Sequence, residues 1–221
     1  MNITVYGDSI LKGVLLEEGK YKMNRSWEQR LAAERGLTIR NKAHFGCTIG
    51  KALGLIEKDC AQPWPEGELA LLEFGGNDCD FDWAAIADDP DGSYVCKTPL
   101  KDFETLYRRA IRDVENSGRT PVVLTLPPIH AQRYLDFICR NGLSRGNILR
   151  WLGDVEAIYR WQRDYSDTVS RIAADMGVRM IDLRRFFLRD GRSPEELLCV
   201  DGIHPSRIGQ GLIFDAFSAA L

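Results

Sequence analysis

The chain has 221 residues, of which 44% are hydrophobic and 28% are charged, and its net charge at pH 7 is -3. This composition is typical of a globular protein and excludes a disordered or fibrous one, and the lack of basic excess argues against a nucleic-acid partner. No run approaches the roughly 18 apolar residues of a membrane span. Charged residues also interrupt the amino-terminal segment where a signal peptide would need an apolar core. We therefore expect one domain over residues 1–221, located in the cytoplasm, with no membrane insertion.

The cysteine pattern also agrees with a location in the cytoplasm. Their spacing contains no C-x-x-C pair, so neither a zinc site nor a thioredoxin-type motif is indicated. The aspartate-rich stretch 78–91 lacks the spacing of a calcium loop. We expect free thiols, no metal and no cofactor. The six positions are Cys47, Cys60, Cys79, Cys96, Cys139 and Cys199.

Short apolar runs alternate with amphipathic helical patterns along the chain. This alternation predicts an α/β fold with a parallel sheet covered on both faces, and right-handed crossovers bring the loops that follow its strands to one edge. The predicted strands are 2–6, 37–41, 69–74, 121–126 and 178–181. The predicted helix starts are a capping box at Ser26, Thr48, Thr98 with Pro99, Asp154 and Ser206.

Two strand-following segments, at about 75–98 and 127–153, are predicted to be long loops of the kind that binds substrates. The first carries acidic residues and the second, extended to 163, many arginines, so they can dock as a lid through opposite charge, or remain two independently solvated loops. Aromatic residues in or near them can form an apolar or sugar-stacking wall, or small cores under the loops. These residues are Trp83, Tyr94, Tyr134, Phe137 and Trp151.

Four short signals after the strands carry chemistry. Ser9 follows the first strand and is either a nucleophile or a helix cap, and Gly46 is either an amide donor to an oxyanion or a turn glycine. Asn77 follows two glycines and can donate to the same oxyanion or serve its own turn. Asp201 and His204 are three residues apart, so the carboxylate can hold an imidazole that takes the proton of a serine, although a buried structural histidine is the ordinary alternative. Their common position at one sheet edge favours the chemical interpretation.

Together, the four segments resemble the SGNH/GDSL hydrolases, which are serine esterases and lipases. The resemblance spans the chain and departs in two places, because Ile10 replaces the usual leucine and Cys47 follows Gly46 where many relatives carry aspartate. The matching segments are Gly7-Asp8-Ser9-Ile10, Gly46 with Thr48, Gly75-Gly76-Asn77-Asp78 and Asp201-Gly202-Ile203-His204-Pro205.

The resemblance implies a three-layer, flavodoxin-like α/β/α fold with a five-stranded parallel sheet. It also implies that Ser9 is the nucleophile, His204 the base and Asp201 its orienting carboxylate. The oxyanion would be held by the amides of Ser9 and Gly46 and by the side chain of Asn77. The candidate substrate-binding residues are Asp8, Trp83 and Tyr134, although Asp8 is also placed to brace its loop.

The expected function is hydrolysis of small or medium acyl esters, including acetyl groups on a carbohydrate, so the expected partner is a small-molecule ester. A lysophospholipase or thioesterase is an alternative that needs a longer acyl groove. A catalytically silent binding module with the same fold is another. A nucleotide binder is disfavoured because no phosphate-binding glycine motif follows the first strand. The sequence leaves the oligomeric state open.

Overall fold

The computed structural model describes residues 2–65 and 67–221, arranged around a parallel sheet. In chain order, the strands are β1 (Asn2–Gly7), β2 (Val14–Glu17), β3 (Lys20–Met23), β4 (Thr38–Asn41), β5 (Leu69–Glu73), β6 (Thr120–Leu124) and β7 (Arg179–Ile181). The helices are α1 (Ser26–Arg35), α2 (Ile49–Cys60), α3 (Trp83–Asp88), α4 (Leu100–Asn116), α5 (Ala131–Cys139), α6 (Arg145–Leu152), α7 (Ala157–Met176), α8 (Leu183–Arg189), α9 (Pro194–Leu197) and α10 (Arg207–Ala220).

The central sheet has five strands in the order β4-β1-β5-β6-β7, and every neighbouring pair is parallel. The predicted α/β fold with a parallel five-stranded sheet is therefore confirmed. Because the first central strand lies between the second and the third, this is the flavodoxin-like order. The carboxyl ends of β1 and β5 flank the point where the strand order reverses, which is where open α/β sheets bind their ligands.

Side-chain alternation along the strands divides the core into two layers. Ile3 and Val5 of β1 pack in the layer formed by α1, α8 and α10, whereas Tyr6 packs in the layer formed by α2, α4 and α7. Strand β5 does the same with Leu71 on the first face and Leu72 on the second. Each strand is thus buried on both faces, as expected for a parallel sheet.

Two of the five predicted helix caps are confirmed and three are wrong, one of them Thr98, because the N-cap of α4 is Pro99 and no side chain caps that helix. Thr48 caps α2 and Ser206 caps α10. The side chain of each accepts a hydrogen bond from the backbone N–H of the residue three positions later. Ser26, in contrast, is the first residue of α1 and caps nothing. Helix α7 begins at Ala157 rather than after Asp154, whose carboxylate pairs with an arginine side chain instead.

A two-stranded hairpin, β2–β3, lies between β1 and α1 and was not predicted. Its two-residue turn, Glu18-Gly19, has positive φ at both positions (+53° and +71°). Such turns favour asparagine or aspartate before the glycine, so a glutamate there hides the hairpin signal. Leu15 and Leu16 of β2 are buried against Cys199, which ties the hairpin to the carboxyl-terminal loop.

The segments 75–98 and 127–153 are not structureless loops, because they carry α3, α5 and α6. They pack against each other in a cluster of buried apolar side chains that includes Ile86, Leu135 and Ile148. In the described residues, one ion pair, Arg150 with Asp91, joins the two segments, and both of its side chains are more than 60% exposed. The segments therefore dock chiefly through apolar contact rather than through opposite charge.

All six cysteines are free. No helix in the described part of the chain combines the length and apolar character that a membrane span requires.

Candidate active site

Ser9 lies in the tight turn that follows β1. The turn is held by the Asp8 carboxylate, which accepts the Ile10 amide at 2.8 Å, and by the Ser9 carbonyl, which accepts the Val14 amide at 2.9 Å. Ser9 caps no helix, because a turn and then β2 follow it. Its side chain is 7% exposed and lines a cavity at the carboxyl edge of the sheet.

Asp201 and His204 lie on the loop between α9 and α10. His204 Nδ1 is 2.7 Å from Asp201 Oδ2, and the second carboxylate oxygen accepts the amides of Ile203 and His204 at 3.1 Å. His204 Nε2 is 2.9 Å from Ser9 Oγ. The structure thus brings together a hydroxyl from the start of the chain and an imidazole and carboxylate from its end.

Gly202, between these two residues, has φ of +74° and lies against the start of α5. A Cβ at this position would be 2.6 Å from the His130 carbonyl oxygen. Glycine is therefore required for the loop that carries Asp201 and His204 to approach α5 this closely.

Asn77 lines the same cavity as Ser9, whereas Gly46 lines a different one. The Asn77 side chain donates to Asp8 Oδ2 at 2.8 Å and lines the same cavity as Ser9 and His204. Gly46 has φ of +68° and lines a different cavity of about 310 Å³. Within residues 2–65 and 67–221, neither the Ser9 amide nor the Gly46 amide donates to another protein group. Their role as oxyanion donors stays a prediction.

Three buried carboxyl groups lie beneath the site. Burial raises the pKa of Asp8, and it raises that of Glu73 well above the usual range, with the neighbouring Asp8 adding to the shift. Burial likewise raises the pKa of Asp78 to about 6, against the opposing effect of its hydrogen bonds with Thr98 and the Ile49 amide. Asp8 is 2% exposed, accepts the Asn77 amide and so braces the loop. It also lines the cavity beside Ser9, and its contact with a substrate stays a prediction.

The cavity beside Ser9 has a volume of about 100 Å³ and a largely apolar lining. Trp83 and Tyr134, both predicted, lie in its wall, and both donate to Asp80 Oδ1, at 2.7 and 2.8 Å. Phe81 and Trp161 also line it but were not predicted, since Phe81 lies in an acidic stretch and Trp161 on a core helix. Tyr94 and Trp151 pack behind this wall, whereas Phe137 packs with the hairpin.

Two aromatic rings shield His204 from solvent. Tyr21 of β3 lies edge-on to the imidazole at a centroid distance of 5.3 Å, and Phe45 stacks on it at 5.9 Å. Both rings are themselves about half exposed, so they form the rim of the site. The sequence carried one weak signal for this rim, the position of Phe45 next to Gly46.

In the described residues, no group of three or more histidine, cysteine, aspartate or glutamate side chains could hold a metal ion. The site itself presents a hydroxyl, an imidazole backed by a carboxylate, and a side-chain amide.

Comparison with solved structures shows the same fold in several enzymes. An acetyl xylan esterase variant from Geobacillus stearothermophilus has a TM-score of 0.68 at 19% identity, covering 99% of this chain and 93% of that chain. An α/β hydrolase from the metagenome of Lake Arreo, Spain, has a TM-score of 0.67 at 21% identity, and the match covers 99% of this chain and 94% of that chain. The lipase/acylhydrolase from Enterococcus faecalis has a TM-score of 0.66 at 19% identity, and the match covers 99% of this chain and 93% of that chain.

A comparison with curated protein sequences found no match. The model of the GDSL-like lipase/acylhydrolase family, in contrast, matches residues 5–212. That range includes the Ser9 turn, the Asn77 loop and the loop that carries Asp201 and His204. The match, the shared fold and the site at the carboxyl edge of the sheet agree, and we conclude that the chain belongs to the GDSL-like lipase/acylhydrolase family of hydrolases.

Proposed function

We propose that this protein is a serine esterase that hydrolyses carboxylic esters of short acyl groups, with carbohydrate O-acetyl esters as the leading substrate class. The observation that carries the proposal is the hydrogen-bonded chain from Ser9 Oγ through His204 to Asp201, next to the Asn77 amide. A serine hydroxyl is a poor nucleophile until an adjacent base takes its proton, and this chain supplies the base and its orienting carboxylate.

In the proposed reaction, Ser9 Oγ attacks the ester carbonyl carbon while its proton passes to His204 Nε2. The oxyanion that forms accepts hydrogen bonds from the Asn77 side chain and from the Ser9 and Gly46 amides. His204 then gives its proton to the leaving alkoxide as the carbon–oxygen bond breaks, which leaves an acyl group on Ser9. A water molecule gives a proton to His204, attacks the acyl carbon, and releases the acid as the proton returns to Ser9.

The size and lining of the cavity support a short acyl group. An apolar cavity of roughly 150 Å³ holds benzene, so the volume of about 100 Å³ beside Ser9 suits an acetyl or similarly small group better than a long chain. The structural likeness to an acetyl xylan esterase agrees with this substrate class. A lysophospholipase or thioesterase would need a longer groove. The cytoplasmic location expected from the sequence stays a prediction.

The test is a chain-length series of p-nitrophenyl esters, from acetate to octanoate, together with acetylated sugars. We expect the highest kcat/KM for acetate, activity on acetylated sugars, and loss of turnover in Ser9→Ala. Ser170→Ala, which changes a serine on α7 outside the cavity, is the matched control. Turnover that survives in Ser9→Ala would refute the mechanism, and preference for octanoate would favour the lipid or thioester alternative. Inactivity of the wild type on every ester would favour a silent binding module.

A further inference from the structure

Glu73, the last residue of β5, places a carboxyl group directly beneath the Ser9 turn. It is fully buried and lies opposite Gly7 in the register of β1 and β5. The Asp8 amide points to Glu73 Oε2 at 3.5 Å, and the Asp8 carboxyl group is near enough to raise the pKa of Glu73 further. Glu73 Oε1 has no hydrogen-bond partner among the described residues. Nothing in the reaction described above uses this group.

Among the described residues, the groups whose charge acts on Glu73 and Asp8 are acids, weak acids and one histidine. The titratable groups whose charge bears on Glu73 or on its partner Asp8 come from the loops after β1 and β5, from α4, and from the loops before α2 and α10. They are Asp8, Asp78, Tyr107, Cys47 and His204. Two carboxyl groups in contact, without a cation between them, do not both ionise, so the pair holds one proton.

The hydrogen bonds decide which member holds the proton. Asp8 accepts the Ile10 amide and the Asn77 side-chain amide, each at 2.8 Å, and both bonds favour its ionised form. Glu73 accepts a single long bond and is left with one bare oxygen. Glu73 is therefore the neutral partner, and its O–H donates to Asp8.

We propose that Glu73 is a positioning residue for Asn77: its protonated carboxyl group fixes the Asp8 carboxylate, which in turn orients the Asn77 side-chain amide toward Ser9. This inference rests on the proposed esterase function. An asparagine amide has two hydrogens. Asp8 takes one of them, which leaves the other for an oxyanion on Ser9.

The packing leaves the pair no room to move aside. A Cβ added at Gly7 would lie 3.3 Å from Glu73 Oε2, and a Cβ added at Gly76 would lie 3.2 Å from Asp8 Oδ2. Backbone from β1 and from the Asn77 loop therefore closes on the two carboxyl groups from both sides. A hydrogen bond from Glu73 therefore holds the Asp8 carboxylate in place, and the Asp8 carboxylate in turn holds the Asn77 side-chain amide.

The test compares Glu73→Leu, which removes the donor, with Glu73→Gln, which keeps a neutral donor of similar shape. We expect Glu73→Leu to lower kcat by about tenfold or more with KM within about twofold, because oxyanion stabilisation acts on the transition state. Glu73→Gln should keep kcat within about threefold of wild type. Glu68→Leu is the matched control, since Glu68 is a buried glutamate immediately before β5, at the far end of that strand from Glu73, and should change stability without changing kcat.

Two further measurements test the role of Glu73 without relying on catalytic turnover. At neutral pH, infrared difference spectra should show a protonated carboxylic-acid band in the wild type that is missing in Glu73→Gln. The NMR signals of the Asn77 side-chain amide should shift in Glu73→Leu and hold in Glu73→Gln. An absent band, or a Glu73→Leu enzyme with wild-type kcat and unmoved Asn77 signals, would overturn the assignment. If Ser9→Ala stays active, the esterase mechanism fails, and these two readouts still decide whether Glu73 positions Asn77.

Discussion

The side-chain amide of Asn77 can make two interactions at the same time. It anchors the loop after β5 to the turn after β1 through its bond to Asp8, and it faces the cavity that contains Ser9. An alanine at this position would remove a donor that, in the proposed reaction, acts only when charge develops on the carbonyl oxygen. The effect should therefore appear in the rate of reaction rather than in substrate affinity.

We predict that Asn77→Ala lowers kcat by about 10²- to 10³-fold with little change in KM, as expected for the loss of one oxyanion donor. Steady-state kinetics on a p-nitrophenyl ester measures this split. Asn116→Ala, an exposed asparagine at the end of α4, is the control and should behave as wild type. A loss that fell entirely on KM would instead make Asn77 a ground-state binding residue.

At the scale of elements, the β2–β3 hairpin forms part of the rim of the site. It carries Tyr21 to the imidazole of His204, opposite Phe45 from the loop before α2. In the proposed reaction, His204 protonates the leaving group, so this group must depart beside the two rings.

We predict that Tyr21→Ala combined with Phe45→Ala raises KM about two- to tenfold, because an aromatic contact contributes roughly 0.5–1.5 kcal/mol. The kcat of the double variant should change less than KM does. Lys22→Ala alters the neighbouring position of the same strand and should leave KM unchanged. Equal KM values in all three proteins would show that the rings only cover the imidazole.

The apolar cluster in which α3, α5 and α6 pack together gives a second prediction at this scale. Leu135 is fully buried in the apolar cluster between the two segments, so Leu135→Ala should lower the free energy of unfolding by about 2–5 kcal/mol. Arg150→Ala, which breaks the exposed pair with Asp91, should lower it by at most about 1 kcal/mol. Urea unfolding measures both. High salt should also leave the protease sensitivity of 78–91 unchanged, and a large salt effect would restore the electrostatic explanation.

Across the whole molecule, the buried carboxyl groups make stability depend on pH. Burial raises the pKa of Glu73 and Asp78, so each group binds its proton more tightly in the folded state than in the unfolded state. Their stabilising effect is complete below the pKa values of the unfolded chain. It is lost as the pH rises through the raised values, first near 6 for Asp78 and then higher for Glu73.

We predict that the free energy of unfolding of the wild type falls between about pH 5 and pH 8, and that Glu73→Gln reduces this fall because its side chain cannot ionise. Urea unfolding at several pH values measures the slope. Glu115→Gln, an exposed glutamate on α4, should keep the wild-type slope. Identical slopes in the wild type and Glu73→Gln would show that Glu73 does not change its ionisation in this range.

The order of the five central strands, and the edge at which Ser9, Asn77, Asp201 and His204 meet, could be predicted from the sequence alone. Strand and helix periods are local, and right-handed crossovers between parallel strands place every strand-following loop at the same edge. Capping was predictable only in part. Ser26 and Asp154 have the right chemistry, but Ser26 lies one residue after the N-cap position of α1 and Asp154 lies two residues before that of α7.

Only the tertiary structure decided what surrounds those residues. The cavity joins Phe81 and Trp161 from separate segments, the rim joins Tyr21 to Phe45, and the Glu73 carboxyl meets Asp8 across two strands. Each of these contacts depends on how close distant parts of the chain come when the core packs. A one-dimensional pattern records the period of a strand or helix, but it does not record the distance between side chains that belong to different ones.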